Sequence, residues 1–189
     1  MDTPEFRARL RAGAAGAFDQ VYAHFHPPLY RYLARLSLDV SLAEELLQEV
    51  WLRFADRAHT LPDEIELGAW LFTVARNLYL SQRRREAVRR RWLRATPADA
   101  SASGSQASPF EALCSSRAQL ELEAGLAALP EHQREILILV AIEQLSPSQA
   151  ARILEIEPAA ARKRLMRARQ LLAEHLQHER APRSAKEVT

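Results

Sequence analysis

The feature that most constrains the fold is a polar stretch near the middle of the chain, "TPADASASGSQASP", residues 96–109. Its side chains are small and polar and it is punctuated by proline, so it lacks the apolar content needed to join a hydrophobic core. It predicts a flexible linker over residues 95–112. The 189-residue chain must then build two small, separate cores. We expect these in domains over residues 1–94 and 113–178, followed by a disordered tail over residues 179–189.

Both predicted domains are helical, which places the chain in the all-α class. Apolar residues recur at steps of three and four, and no segment alternates with the period of a strand. In the first domain this pattern predicts a helix bundle, with an expected helix break at Pro27–Pro28. The inward positions of its successive segments are Phe18, Val21, Tyr22 and Phe25; Leu29, Tyr32, Leu33 and Leu36; Ala43, Leu46, Leu47, Val50 and Phe54; and Leu71, Val74, Ala75 and Leu78.

The second domain carries the pattern of a helix-turn-helix. After a break at Leu129–Pro130 and a very apolar helix, Ser146 is a natural N-cap, with Gln149 at the capping-box position. Only about three residues separate this short helix from a second one that Pro158 can open. A short helix, a tight turn and a longer basic helix are the signature of the motif. The buried stripe of the longer helix is predicted to be Ala161, Leu165, Ala168 and Leu172.

Charge is segregated along the chain, although the formal net charge is only +2. Residues 39–66 hold eight acidic side chains against two arginines, and residues 76–94 hold eight arginines against one glutamate. The stretch Ile156–Arg169 is a second basic block, with five basic residues. One acidic and two basic surfaces indicate at least two kinds of partner.

The basic block lies on the second helix of the predicted motif, which favours DNA reading over an ordinary solvated face. Residues near the start of such a helix reach base edges, and flanking arginines hold phosphates. The positions left at or near the solvent side are Ala160, Arg162, Lys163, Arg164, Met166, Arg167 and Arg169.

Four blocks, in order, resemble the extracytoplasmic-function (ECF) sigma factors of bacterial RNA polymerase. They are "PPLYRYLARL", "AEELLQEVWLRF", "WLFTVARNLYLSQRRR" and "LPEHQREILILVAIEQLSPSQAARILEIEPAAARKRLMRARQLL". In that family they correspond to the start of region 2, the part that docks on polymerase, the part that melts and reads the −10 promoter element, and region 4, which binds the −35 element. Together with the linker, the resemblance covers nearly the whole chain.

The resemblance implies three sets of site residues and three partners: core RNA polymerase, promoter DNA and an anti-sigma factor. The residues implied for core polymerase are Glu45, Gln48, Glu49 and Leu52. Those implied for the −10 element are Trp70, Thr73, Arg76, Asn77, Arg83, Arg84 and Arg85. Those implied for the −35 element are Ala160, Arg162, Lys163, Arg164, Arg167 and Arg169. Core packing is the alternative for Trp70, and a solvated helix face is the alternative for the charged sets.

The chain departs from the family pattern at several positions. Ser81 stands where aspartate is usual, and Glu155 stands where the helix-turn-helix turn usually has glycine. The family's "GTVKSR" becomes "AAARKR", residues 159–164, which leaves the −35 sequence undetermined. Ser41 and Leu42 stand near positions that are commonly aspartate, so core binding is expected to be weaker or conditional.

Other classes of function find little support. The pairs His24/His26 and His175/His178 lack a convincing third metal ligand, and Cys114 is the single cysteine. There is no glycine-rich phosphate loop and no nucleophile elbow, so we expect neither an enzyme nor a cofactor. The apolar runs are too short to cross a membrane, and the beginning of the chain lacks the apolar core of a secretory signal, so we expect a cytoplasmic protein.

Two rival functions remain open at this stage. A helix-turn-helix regulator without a sigma role would self-associate and bind duplex DNA tightly without polymerase. An interaction protein that grips an acidic partner would bind DNA weakly and without sequence preference.

Overall fold

A computed structural model describes residues 3–14, 16–62, 64–95 and 117–180. Every regular element within these ranges is a helix, which confirms the all-α class. The predicted linker, apart from Ala95, and residues 181–189 of the predicted tail lie outside the described residues. Residues 179–180 belong to the last helix and not to a tail.

Eight helices can be followed in the described ranges, and they form two compact units. The helices are α1 Pro4–Arg11, α2 Ala17–Ser37, α3 Val40–Arg57, α4 Leu67–Ala95, α5 Arg117–Ala128, α6 Glu131–Leu137, α7 Pro147–Ile153 and α8 Pro158–Arg180. A π-helical turn, Ile138–Ile142, continues α6. The first unit holds α1, α3, α4 and α2 as far as Leu33, while residues Ala34–Leu38 group with α5–α8.

The core of the first unit follows most of the predicted stripes, but Tyr22 is 40% exposed and Phe18 and Phe25 are only half-buried. All five inward positions predicted on α3 are buried, and α3 packs against α4. On α4, Leu71, Ala75 and Leu78 are buried while Val74 is half-buried. Sequence reasoning missed three large buried aromatic side chains, because each lies one position away from the predicted stripe. They are Trp51, Phe72 and Tyr79.

The predicted break at Pro27–Pro28 is wrong, since both prolines lie inside the continuous helix α2. Proline has no N–H, so two main-chain carbonyls in the preceding turn lose their usual donors. The helix continues because its apolar face continues: Val21 before the prolines and Leu29 and Leu33 after them are all fully buried. Tertiary packing here outweighs a local helix-breaking signal.

Helix α1 was not predicted, although its start carries a recognisable signal. The Thr3 hydroxyl accepts a hydrogen bond from the main-chain N–H of Phe6 (3.3 Å), and Pro4 occupies the first helical position. Phe6 and Leu10 are buried, as is Arg7, whose guanidinium donates to the carbonyl oxygen of Ile65. The helix thus braces the loop between α3 and α4.

In the second unit α5, α6 and α7 all pack against α8. The predicted break at Leu129–Pro130 is confirmed, because α5 ends at Ala128 and α6 begins at Glu131. Gly125 makes close contact between α5 and α8 possible: a Cβ atom there would lie 2.8 Å from Cδ1 of Leu172. This packing leaves the opposite side of α8 exposed.

Candidate nucleic-acid and protein interfaces

The acidic ridge of α3, defined here as Glu45, Gln48, Glu49 and Leu52, faces solvent. Asp39 caps the helix by accepting a hydrogen bond from the N–H of Leu42 (3.1 Å). Leu52 is 62% exposed and adds an apolar side chain to the polar ridge. Glu49 accepts from Arg53 (3.0 Å), so part of the ridge's charge is balanced on its own helix. An acidic surface with an apolar residue at one end suits a basic and partly apolar protein partner.

The predicted −10 residues in the first half of α4 lie at the margin of its buried face and on its exposed face. Trp70, Thr73 and Arg76 are half-buried, and Asn77 is exposed. The Thr73 hydroxyl donates to the carbonyl oxygen of Ala69 (2.8 Å), which leaves the hydroxyl oxygen able to accept. The Trp70 ring lies 6.3 Å from that of Phe54. Trp70 therefore packs against the core in part, and the part of its side chain that stays exposed is available to a partner.

A cavity of about 550 Å³ opens beside Trp70. Its walls come from the end of α3, the loop that follows it and one face of α4. The residues that line it are Arg53, Asp56, Arg57, Thr60, Leu61, Pro62, Ile65, Trp70 and Val74. Aromatic and aliphatic groups here lie beside two guanidinium groups and a carboxylate. Sequence reasoning missed the cavity because the loop carries no periodic signal, and only the fold brings it against α4.

The second half of α4 is a basic, exposed helix. Arg83, Arg84 and Arg85 are all exposed, as both phosphate contacts and a solvated helix face would require. Arg84 donates to the hydroxyl of Ser81 (3.1 Å), so the residue that replaces the family's aspartate orients an arginine. Further along, Val88 and Trp92 are each 69% exposed. Sequence reasoning did not single out these two, although an apolar pair one turn apart on a basic helix is a visible signal.

The helix-turn-helix forms as predicted, including its capping box. The Ser146 hydroxyl accepts from the N–H of Gln149 (3.2 Å), and the N–H of Ser146 donates to the Gln149 side chain (2.9 Å). The turn keeps the left-handed geometry without glycine, because Glu155 adopts φ +53°. Two hydrogen bonds close it, from Glu155 N–H to Arg152 (3.2 Å) and from Ile156 N–H to Ala151 (3.0 Å). This pair of bonds is the Schellman arrangement. The turn typical of the motif is therefore retained, although Glu155 stands where glycine is usual.

The outward side of α8 is separate from its packing side. Ala161, Leu165 and Ala168 are buried, and Leu172 is half-buried. Among the residues predicted to face DNA, Arg164 is half-buried and the others are exposed: Ala160, Arg162, Lys163, Arg167 and Arg169. The middle of the exposed side holds three further exposed residues that the predicted −35 set lacked: Ala159, Met166 and Gln170.

No metal site emerges in the described part of the chain, where no group of three or more His, Cys, Asp or Glu side chains is arranged to hold an ion. His26 instead packs among aromatic rings, 4.6 Å from Tyr22 and 6.2 Å from Trp51. Cys114 lies outside the described residues. Within those same limits, none of the helices is both long and apolar enough to span a membrane.

Family models match both units. The model for sigma-70 region 2 matches residues 21–89, and the model for sigma-70 region 4 matches residues 119–172. The match to the second region spans the helix-turn-helix, and the match to the first spans the acidic ridge and the −10 residues of α4.

Curated relatives carry the same family name. The chain is 32% identical over 159 residues to the ECF RNA polymerase sigma factor SigM of Bacillus subtilis, an alignment that covers 82% of this chain and 91% of SigM. It is 35% identical over 150 residues to EcfG of Rhodopseudomonas palustris, covering 78% of each chain. It is 31% identical to CarQ of Myxococcus xanthus, covering 89% of this chain and 94% of CarQ.

Solved structures give the same fold. The sigma factor RpoE of Bartonella quintana, determined in complex with the anti-sigma factor NepR, has a TM-score of 0.70 and 26% identity, covering 86% of this chain and 98% of RpoE. CnrH, determined in complex with the cytosolic domain of CnrY, has a TM-score of 0.68 and 18% identity, covering 94% of this chain and 99% of CnrH. The CnrH likeness concerns the fold alone.

Proposed function

This chain belongs to the ECF family of RNA polymerase sigma factors, and from that premise we propose how its exposed faces divide the work of starting transcription. The first unit docks on core polymerase and opens the −10 element, and the second unit holds the −35 element. One observation carries this assignment. On α3 and α8, every residue assigned to a partner is exposed or half-buried and lies off the buried stripe. These side chains are not needed for the cores and are available to partners.

The acidic ridge of α3 is the docking surface for core polymerase. Glu45 supplies charge for attraction, and Leu52, at the end of the ridge, supplies an exposed apolar side chain that a partner desolvates. Because Glu49 already pairs with Arg53, docking exchanges one ion pair for another at this position. Such an exchange adds less affinity than a new ion pair would. Weaker docking also agrees with the small number of acidic residues around Ser41 and Leu42.

The cavity beside Trp70 holds an unstacked base of the −10 element. Melting a promoter requires at least one base to leave the stack, and extruded bases are held by stacking and by hydrogen bonds to their edges. Trp70 supplies the ring, and Arg53 and Asp56 supply a donor and an acceptor in the same cavity. Arg83, Arg84 and Arg85 hold phosphates, while Thr73, Arg76 and Asn77 contact neighbouring groups.

The exposed side of α8 reads the −35 element from the major groove. Arginine or lysine bound to guanine gives ~1–3 kcal/mol of discrimination per good bidentate pair. Lys163 lies at the middle of the exposed side, with Arg162 and Arg167 beside it. Ala160, Arg164 and Arg169 complete the set at its margins. The Schellman turn at Glu155 fixes the angle between α7 and α8.

An anti-sigma factor restrains this chain. The RpoE structure of Bartonella quintana, 26% identical over most of both chains, was determined with such an inhibitor bound. An inhibitor that covers the acidic ridge would block the surface proposed to dock on polymerase. The protein itself is not catalytic, since the polymerase supplies the active site, and it works in the cytoplasm with the polymerase. The alternative of a regulator without a sigma role is not favoured, because the family matches extend across both units.

The test is co-elution of the purified full chain with core RNA polymerase in gel filtration. The double variant Glu45→Lys/Glu49→Lys should lose co-elution. The matched control is Asp19→Lys/Glu174→Lys, which changes net charge equally at two other exposed acidic residues. The control should co-elute as the wild type does. Equal behaviour of the two double variants would contradict the docking surface, and a wild-type chain that never co-elutes would contradict the sigma role.

A further inference from the structure

Arg7 lies outside the part of the chain that matches the family model for region 2, because that match begins at residue 21. It is nevertheless only 3% exposed, and its guanidinium donates a hydrogen bond to the main-chain carbonyl oxygen of Ile65. Arginine is almost never buried unless its charge is partnered, since the lost hydration must be offset. The contact joins α1 to the loop between α3 and α4, and the function proposed above gives it no role.

Helix α1 turns Arg7 inward by burying its neighbours. Phe6 and Leu10 are 9% and 5% exposed, and with 3.6 residues per turn they lie on the same side of the helix as Arg7. The Thr3 cap and Pro4 set the residue at which the helix begins. The rotation of α1 about its axis is therefore fixed, and with it the direction of the guanidinium.

Ile65 lies between Arg7 and the cavity beside Trp70. Its side chain lines that cavity, while its carbonyl oxygen accepts from Arg7. The first half of the loop is tied to α3, since the N–H of Leu61 donates to the carbonyl oxygen of Arg57 (3.1 Å). In the second half the N–H of Ile65 donates to the carbonyl oxygen three residues before it (3.3 Å), which closes a turn within the loop. Arg7 joins this turn to α1.

We propose that Arg7 is a positioning residue for promoter opening. By holding Ile65, it keeps the loop wall of the cavity in place while an unstacked base enters beside Trp70. A binding site needs supporting groups that hold the contacting residues to within about 0.5 Å of the productive geometry. Arg7 does not line the cavity and acts on the base through Ile65. The proposal rests on the function proposed above, in which this cavity holds a base of the −10 element.

The test uses holoenzyme made with the full chain and a duplex that the wild-type holoenzyme selects from a random library. Single abasic sites placed along both strands of the melted region first identify the captured base. Its removal should lower opening by the wild type, and Trp70→Ala should be insensitive to the same removal. Opening is measured as permanganate reactivity of unpaired thymines, at a temperature at which circular dichroism shows every variant to be folded.

Arg7→Met should lower opening of the intact duplex roughly fivefold, which is less than the loss of about tenfold expected when the whole stacking ring of Trp70 is removed. On the duplex that lacks the captured base, Arg7→Met should open as the wild type does, because the loop wall then has no base to hold. Arg7→Lys keeps an N–H donor on a long side chain, so its opening should stay within about twofold of wild type. The matched control is Arg9→Met, which removes the same charge from the exposed side of α1 and should open both duplexes normally.

The outcomes separate a positioning role from a purely structural one. If Arg7→Met lowers opening by the same factor on both duplexes, or on neither, Arg7 does not act through the cavity. Equal losses in Arg7→Met and Arg9→Met would assign the effect to charge and overturn the proposal. If no abasic site impairs the wild type, or if Trp70→Ala stays sensitive to the captured base, the base-holding function of the cavity itself fails and the inference fails with it.

Discussion

The guanidinium of Arg7, on α1, donates a hydrogen bond to the main-chain carbonyl oxygen of Ile65, 58 residues further along the chain. Arg7 is only 3% exposed, and Ile65 lines the cavity beside Trp70. A buried guanidinium must be hydrogen-bonded to be tolerated, so the contact fixes both the helix and the loop. The first helix therefore contributes to the shape of a cavity that it does not line.

Replacing Arg7 by methionine should lower the free energy of unfolding by about 2–3 kcal/mol, because it removes a hydrogen bond from a charged donor and leaves a carbonyl group to be satisfied. Amide hydrogen exchange should become faster at Ile65 and its neighbours. The control is Arg9→Met on the exposed side of the same helix. Equal exchange in both variants would show that Arg7 does not hold the loop.

Glu155 offers a test of the helix-turn-helix turn. Its φ of +53° is costly for any residue with a Cβ atom, so Glu155→Gly should raise the free energy of unfolding by roughly 0.5–1 kcal/mol. Glu155→Ala keeps the Cβ atom while removing the carboxylate, so it should not stabilise the chain. Chemical denaturation of the full chain measures both. A stabilising alanine variant would assign the effect to the carboxylate instead of the backbone.

The capping box predicts a loss at the start of α7. Ser146→Ala removes the side-chain acceptor for the N–H of Gln149 and should destabilise α7 by about 1 kcal/mol. Ser148→Ala changes an exposed serine inside the same helix and serves as the control. Amide exchange across residues 147–153 is the measurement, and similar exchange in the two variants would argue against a stabilising cap.

Trp70→Ala should impair promoter opening more than polymerase docking. The substitution removes the ring from the cavity wall, so permanganate reactivity of unpaired thymines should fall by roughly an order of magnitude, as expected for the loss of ~1–3 kcal/mol of base stacking. Co-elution with core polymerase should persist.

Because Trp70 also packs near Phe54, Trp70→Phe provides the control for folding and should retain most of the opening. If Trp70→Ala melts the promoter as the wild type does, the cavity does not hold a base.

Lys163 tests the assignment of the −35 surface. It is exposed on the side of α8 away from the buried stripe, so Lys163→Ala should change the free energy of unfolding by less than about 0.5 kcal/mol. It should alter the sequences that the holoenzyme selects at one or two positions of the −35 element, since a base contact is lost. Unchanged selection together with a lower salt slope would make Lys163 a phosphate contact.

Much of the fold could be predicted from the sequence because the helical period is strong. The buried stripe of α3 and the packing side of α8 follow from steps of three and four alone. The capping box at Ser146 was readable because its two partners are three residues apart, and the structure confirms both hydrogen bonds. Local signals of this kind need no knowledge of the rest of the chain.

The rest depended on contacts that no local pattern encodes. Two prolines predicted a break in α2, and the buried faces of Val21 and Leu29 on either side outweigh it. The cavity beside Trp70 arises only when a loop meets a helix, and its brace at Arg7 comes from a part of the chain far away in sequence. Non-local packing of this kind decides how the candidate −10 site is built.

The separation of faces on α8 has a consequence for how a regulatory network changes over time. Ala159, Lys163 and Met166 are exposed, whereas Ala161, Leu165 and Ala168 form the buried stripe of α8, so substitutions at the three exposed positions should cost little stability. Given the proposed −35 contacts of α8, a duplicated copy of this gene would acquire a new set of target promoters by a few codon changes on one helix. Because the exposed face of α8 is separate from its buried face, α8 is a practical helix on which to engineer a transcription system that does not recognise the promoters of its host.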